Sequence, residues 1–154
     1  MLKYVNTGVV LQEIPDEVTL AINIANCPCH CPGCHSKYLW EDIGEPLTPE
    51  VLDALIQQYG DDITCVAFMG GDAEPEYVNV LARHMKSAHP AFHVAWYSGR
   101  QRIPRTVNRS DFDYIKLGPY IAHLGTLRDK TTNQRLYKRV SGDEFADITS
   151  KFWK

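Results

Sequence analysis

Apolar residues fall along this chain in short blocks that switch between two periods. In "GVVLQEIPDEVTLAINIANC" they mark two short strands around a turn at Pro15 and Asp16. The strict alternation of "VTLAINIAN" puts the second of these strands at Val18 to Asn26. "TPEVLDALIQQYG" predicts a helix, with Thr48 as its N-cap, Pro49 in the first turn and Gly60 as the stop. "ITCVAFMGG" is a buried strand that runs into a glycine pair. "EPEYVNVLARHMKSAHP" carries apolar residues at helical spacing until Pro90. "FHVAWYSGR" and "FDYIKLGPY" supply two further strands, and the tail "GDEFADITSKFWK" predicts a short terminal helix.

Strands that alternate with helices build parallel sheets from β-α-β units. The chain has 154 residues with no repeat, low-complexity tract or linker, so one domain is expected. Such a sheet is either open or closed into a partial barrel. In both, ligands bind at the carboxyl ends of the strands. The cysteine-rich loop after the second strand, "MGGDAEP", "YSGR" and "KLGPY" all occupy that position.

Composition narrows the chemistry. A hydrophobic fraction of 44% and a charged fraction of 23% are ordinary for a globular protein, and a net charge of −3 gives no sign of a nucleic-acid partner. No apolar run approaches the roughly 18 residues of a membrane span. The opening "MLKYVNTGVVLQEIPDE" has no apolar core of a signal peptide, so the cytoplasm is expected. There, clustered thiols are metal ligands or catalytic groups more often than disulfides.

Four of the five cysteines, Cys27, Cys29, Cys31 and Cys34, lie within eight residues in "NCPCHCPGCHSKYLW". Three of them, Cys27, Cys31 and Cys34, fit C-x3-C-x2-C. Iron–sulfur cubes usually take four thiolates. A loop that offers three leaves one iron open to a small molecule, much as an open position distinguishes catalytic from structural zinc. Zinc frameworks bring together two ligand pairs from separate segments, and no second C-x2-C or H-x3-H occurs here.

C-x3-C-x2-C after the first core strand, with "GGD" after the next, resembles the radical S-adenosylmethionine superfamily. Within it, "CPGCHSKYLW", "YSGR" and "TTNQRLYKR" are similar to segments of the anaerobic ribonucleotide reductase activating proteins. The resemblance spans Val18 to Arg139. It implies a 4Fe–4S cluster on Cys27, Cys31 and Cys34 whose open iron chelates S-adenosylmethionine. Reductive cleavage of that cofactor then gives methionine and a 5′-deoxyadenosyl radical. The radical takes hydrogen from a backbone glycine of the large subunit of an anaerobic ribonucleoside-triphosphate reductase. A flavodoxin-type protein suits the role of electron donor.

The resemblance also assigns roles. Cys29 is a bystander that points away from the cube. Gly70, Gly71 and Asp72 form the loop that holds the amino group of the cofactor, with Asp72 as acceptor. Ser98 and Gly99 face the ribose or carboxylate of the cofactor, or simply turn the chain. Lys116 pairs with the methionine carboxylate, or faces outward from its strand. His30 and His35 flank ligands and are expected in solvent, Trp40 covers the cysteine loop, and Cys65 is a small buried hydrophobe. Arg100, Arg102, Arg105 and Arg109 are a solvated run, a docking surface for the reductase or a contact with the cofactor. "TTNQR", Thr131 to Arg135, is a candidate for positioning the partner or its glycine. The expectation for residues 1–154 is therefore a single radical S-adenosylmethionine domain of the α/β class. Its parallel β-α repeats form an open, partial TIM-type barrel. The alternatives are a radical S-adenosylmethionine enzyme with another target and a non-catalytic zinc- or iron-binding module.

Overall fold

A computed structural model describes residues 1–31, 34 and 37–153. His35 lies outside the described residues. The core is an eight-stranded sheet in the order β3-β1-β2-β4-β5-β6-β7-β8. Its centre is parallel: β2 (Thr19–Ile24), β4 (Cys65–Met69), β5 (His93–Tyr97) and β6 (Tyr114–Leu117) run side by side. Antiparallel strands flank it, β1 (Lys3–Val10) and β3 (Glu45–Pro46) on one side, β7 (Arg135–Ser141) and β8 (Glu144–Asp147) on the other.

Each strand alternates its side chains between two faces. Leu20, Ile22 and Ile24 of β2, Val66 and Phe68 of β4, and Val94 and Trp96 of β5 face the two helices, with every one of them at most 1% exposed. There they meet Leu52, Leu55 and Ile56 of α1 (Pro49–Tyr59) and Val78, Leu81 and Met85 of α2 (Pro75–Ala88). The opposite face carries Cys65, Ala67, Ala95, Tyr114 and Leu136. Irregular chain covers it, through Ile14, Leu127, Ile148 and Phe152. Cys65 is thus a buried small side chain, and burial pushes its thiol pKa up.

α1 begins as its sequence dictates. Thr48 Oγ1 accepts from the Val51 amide at 3.2 Å, Pro49 fills the first turn, and the Gly60 amide closes the helix on Ile56 O. α2 has Pro75 at its start, Glu76 in its first turn and Lys86 in its last, which suits the helix dipole. The turn expected near Pro15 is present, with Asp16 at φ 68°.

Three expectations change. The first strand starts at Lys3 rather than near Gly8, because its ladder with β2 continues to Tyr4 and β3 pairs with Lys3 and Tyr4. The tail is not one helix: Glu144–Asp147 is a strand, followed by a single 3-10 turn at Thr149–Phe152. Its partner β7, absent from the sequence reading, covers the edge that β6 would otherwise leave open. No helix among the described residues is long and apolar enough to cross a membrane.

Candidate functional site

Because β2, β4, β5 and β6 are parallel and in register (Asn23 beside Met69, Met69 beside Tyr97, Tyr97 beside Lys116), their following loops emerge at one edge. The cysteine loop follows β2, Gly70–Asp72 follows β4, Ser98–Arg100 follows β5 and Gly118–Tyr120 follows β6.

Asp72 is the hub. Its side chain is 1% exposed and accepts from Ser98 Oγ at 2.6 Å and from the Gly99 amide at 2.8 Å. Its carbonyl accepts from Arg100 Nη2 at 2.7 Å, so the first residue of the basic run belongs to the site. Gly71, at φ 94°, lets the chain turn sharply enough to aim Asp72 inward while the loop packs on Val78 and Leu2. Gly70 is tied twice to β5: its amide donates to Tyr97 O, and its carbonyl accepts from Trp96 Nε1 at 2.8 Å.

The cysteine loop closes over this hub. Cys29 Sγ lies 3.6 Å from Asp72 Oδ2, and a Cβ added at Gly99 would meet that sulfur at 2.8 Å. Only glycine permits so close an approach. The Cys29 thiol also donates to Cys27. That bond, more than any other contact, pulls the Cys27 pKa down to about 6 and pushes that of Cys29 up. The Cys34 amide donates to Cys31 O at 3.0 Å, which holds two of the expected ligands close together. The described residues form no disulfide.

Lys116 does not face outward. It is 8% exposed, and its Nζ donates to Ser98 O at 3.2 Å and Gly118 O at 2.8 Å, beside the Tyr97 ring. Burial lowers its pKa to about 8, opposed by the attraction of Asp72, Cys31, Cys29 and Cys27. The same lysine and Cys34 line a cavity of about 350 Å³ with Tyr97, Tyr120 and Gln134.

His30 is exposed, as expected, and stacks on the half-buried Trp40 with centroids 4.6 Å apart and planes 9° from parallel. Arg102, Arg105 and Arg109 sit away from Asp72, around a separate cavity of about 610 Å³ that Tyr137 and Phe145 also line. In "TTNQR", Thr132 and Gln134 are buried, and Asn133 Nδ2 donates to Pro119 O at 3.0 Å. This segment backs the loop after β6, a role that its polar composition hides.

The donor set fits an iron–sulfur cluster. Cys27, Cys31 and Cys34 are half-buried in one short loop, with a buried lysine beside it. Trp40 Nε1, buried at the wall of that loop, has no acceptor among the described residues, a donor available to an acceptor the chain does not supply.

The family model described as 4Fe-4S single cluster domain matches residues 17–109, well over half of the chain. The match takes in the cysteine loop, Asp72 and the Ser98–Arg100 loop, and the chain belongs to that family. No curated protein matches the chain, and no solved structure does.

Proposed function

We propose that this member of the 4Fe–4S single cluster family is a radical S-adenosylmethionine enzyme, one that installs a glycyl radical on an anaerobic ribonucleoside-triphosphate reductase. The observation that carries the reading is the convergence on one sheet edge of the C-x3-C-x2-C loop, the buried Asp72 with Ser98 and Gly99, and the buried Lys116. On this reading the four parallel strands are the partial barrel, with helices on its outer face and Lys116 and Tyr97 on its inner one. The reaction belongs in the cytoplasm, with a flavodoxin-type protein as electron donor.

Cys27, Cys31 and Cys34 would hold the cluster. When bound, a 4Fe–4S cluster with an open iron supplies the electron that splits S-adenosylmethionine into methionine and a 5′-deoxyadenosyl radical. The chain's own residues position and shield. Asp72, fixed by Ser98 and Gly99, offers Oδ2 to the ammonium of the cofactor in place of the Cys29 thiol. Lys116 sets a cation toward the methionine carboxylate, and two backbone carbonyls hold its ammonium in place. The cavity between Cys34 and Gln134 is open to a polypeptide segment that brings its glycine to the site.

The test is electron paramagnetic resonance of anaerobically reconstituted, reduced protein, with and without S-adenosylmethionine. The expected result is a reduced cluster signal whose shape changes when the cofactor is added. Incubation with the reductase then gives a glycyl radical doublet on the larger protein. A cluster signal indifferent to the cofactor would reduce the function to electron transfer. A cofactor-sensitive signal with no radical on the reductase would point to another target.

A further inference from the structure

We propose that Asp53, His84 and His89 form a second metal site, one that takes a zinc-like divalent cation and ties α1 to α2. It stands apart from the reading above. α2 starts beside Asp72 and runs back along the sheet, so His89 lies near the amino end of β5, the opposite edge from the cysteine loop.

The geometry is specific. Both His84 Nε2 and His89 Nε2 lie 2.7 Å from the same oxygen, Asp53 Oδ1, and the ligand atoms of all three residues fall within 4.8 Å of one another. The two rings are inclined by 74°, centroids 6.0 Å apart, so the nitrogens converge from different directions rather than stack. Five residues of continuous helix would carry His89 more than a third of a turn away from His84. The helix instead ends at Ala88. His89 leaves it at φ −134° and ψ 61°, while its amide still bonds Met85 O, and this turns the ring back over His84.

The chemistry of the donors selects the ion. Two imidazoles and one carboxylate suit zinc and its borderline neighbours, and the absence of sulfur disfavours soft ions. Bonds of about 2.0–2.1 Å give a tetrahedral edge of about 3.3 Å, so the two N···O distances need to open by only about 0.6 Å. The histidine side chains are 26% and 20% exposed, and Asp53 is 48% exposed. The rings are therefore held by packing while the carboxylate faces solvent. A cation has a route in, and water completes its coordination.

The test uses the cluster-loaded protein under anaerobic conditions. Zinc is equilibrated with it by dialysis, metals are counted by elemental analysis, and the zinc environment is read by X-ray absorption at its K-edge. One zinc per chain is expected in addition to the iron, with nitrogen and oxygen neighbours only. His84→Ala, His89→Ala and Asp53→Asn should each weaken zinc binding at least about tenfold, since even the loss of an outer partner costs that much, and leave the iron content unchanged. Failure to retain zinc would overturn the site and leave a hydrogen-bonded surface trio. So would sulfur in the zinc shell, or uptake indifferent to all three substitutions. None of these outcomes depends on the reaction with S-adenosylmethionine.

Discussion

Ser98 Oγ donates a 2.6 Å hydrogen bond to Asp72 Oδ1, with both residues 1% exposed, and so locks the loop after β5 to the loop after β4. Removal of the carboxylate in Asp72→Ala leaves the Ser98 hydroxyl and the Gly99 amide without their acceptor. Each stranded buried donor costs about 1–3 kcal/mol, so unfolding in denaturant should show a loss of several kcal/mol. Asp72→Asn keeps the shape and should recover much of that stability, yet still bind S-adenosylmethionine weakly. Equal cofactor binding by Asn and Asp would remove Asp72 from the ammonium site.

The cysteines are separable by iron content. Cys27→Ser, Cys31→Ser and Cys34→Ser should each lose the cluster on reconstitution, whereas Cys29→Ser should retain it. Cys29 contacts Asp72 and Cys27, so its replacement is expected to alter cofactor binding rather than iron loading. Equal iron loss in Cys29→Ser and Cys31→Ser would make Cys29 a ligand.

Gly99→Ala tests how tightly the two loops close. The new methyl would stand 2.8 Å from Cys29 Sγ and 3.3 Å from its Cβ. One of the loops must retreat, at a cost of about 1–3 kcal/mol, the range for overpacked sites. The variant should reconstitute more slowly and to lower iron content than wild type. Combination with Cys29→Ala, which removes the sulfur, should restore both.

The units with a clear period were legible. The alternation of β2, the helical spacing of α1 and α2 and the cap at Thr48 all appear where the sequence placed them. The flanking strands were not. β7 buries only Leu136 fully and leaves Lys138, Val140 and Ser141 exposed, so it offers no apolar alternation to read. β8, "EFAD", is short and acidic, and pairing with β7 overrides its weak local preference. The cysteine spacing pointed to the iron–sulfur chemistry that the family match supports, and the glycine–acid loop lies beside Cys29 in the fold. The burial of Lys116 was beyond reach of the sequence, because its acceptors, Ser98 O and Gly118 O, meet only when β5 and β6 pair. The convergence of Asp53 with two histidines was hidden for the same reason: it spans two helices and a helix end.

Lys116 gives the protein a pH signature. Its pKa is lowered from 10.5 to about 8 in the fold, chiefly by burial. Between those values the unfolded chain binds more protons than the native one, so the stability of the native protein rises with pH. The penalty is fully present below pH 8 and gone above 10.5. Relative to Lys116→Met, the wild-type protein should therefore gain about 3 kcal/mol between neutral pH and pH 10.5, as read from denaturant unfolding of the cluster-free forms. A difference that stays constant with pH would mean that the ammonium is not desolvated.

Glu17 holds the far end of the sheet. At 8% exposure it accepts from Thr64 Oγ1 at 2.6 Å, His93 Nδ1 at 2.6 Å and Tyr114 OH at 2.7 Å. Glu17→Ala removes the acceptor of donors from three segments, of which only the Tyr114 hydroxyl is buried, since Thr64 is exposed and the His93 side chain is 52% exposed. It should destabilise the protein by about 1–3 kcal/mol, the cost of one buried donor left without its acceptor. Because the site lies at the other edge, iron content and cofactor binding of the folded fraction should be unchanged.

The outermost strands have a consequence for how any partner meets this protein. β3 has two residues, one of them Pro46, and β8 has four. The β8 end is closed by a short strand, but β3 covers only Lys3 and Tyr4 of β1, so among the described residues Val5 to Val10 keep an open edge on which another polypeptide could add a strand. A partner at the carboxyl edge instead reads side chains and loop backbone. Recognition there depends on sequence-specific contacts, which a single substitution in a loop can abolish without harm to the fold, whereas strand addition at β1 would tolerate such changes.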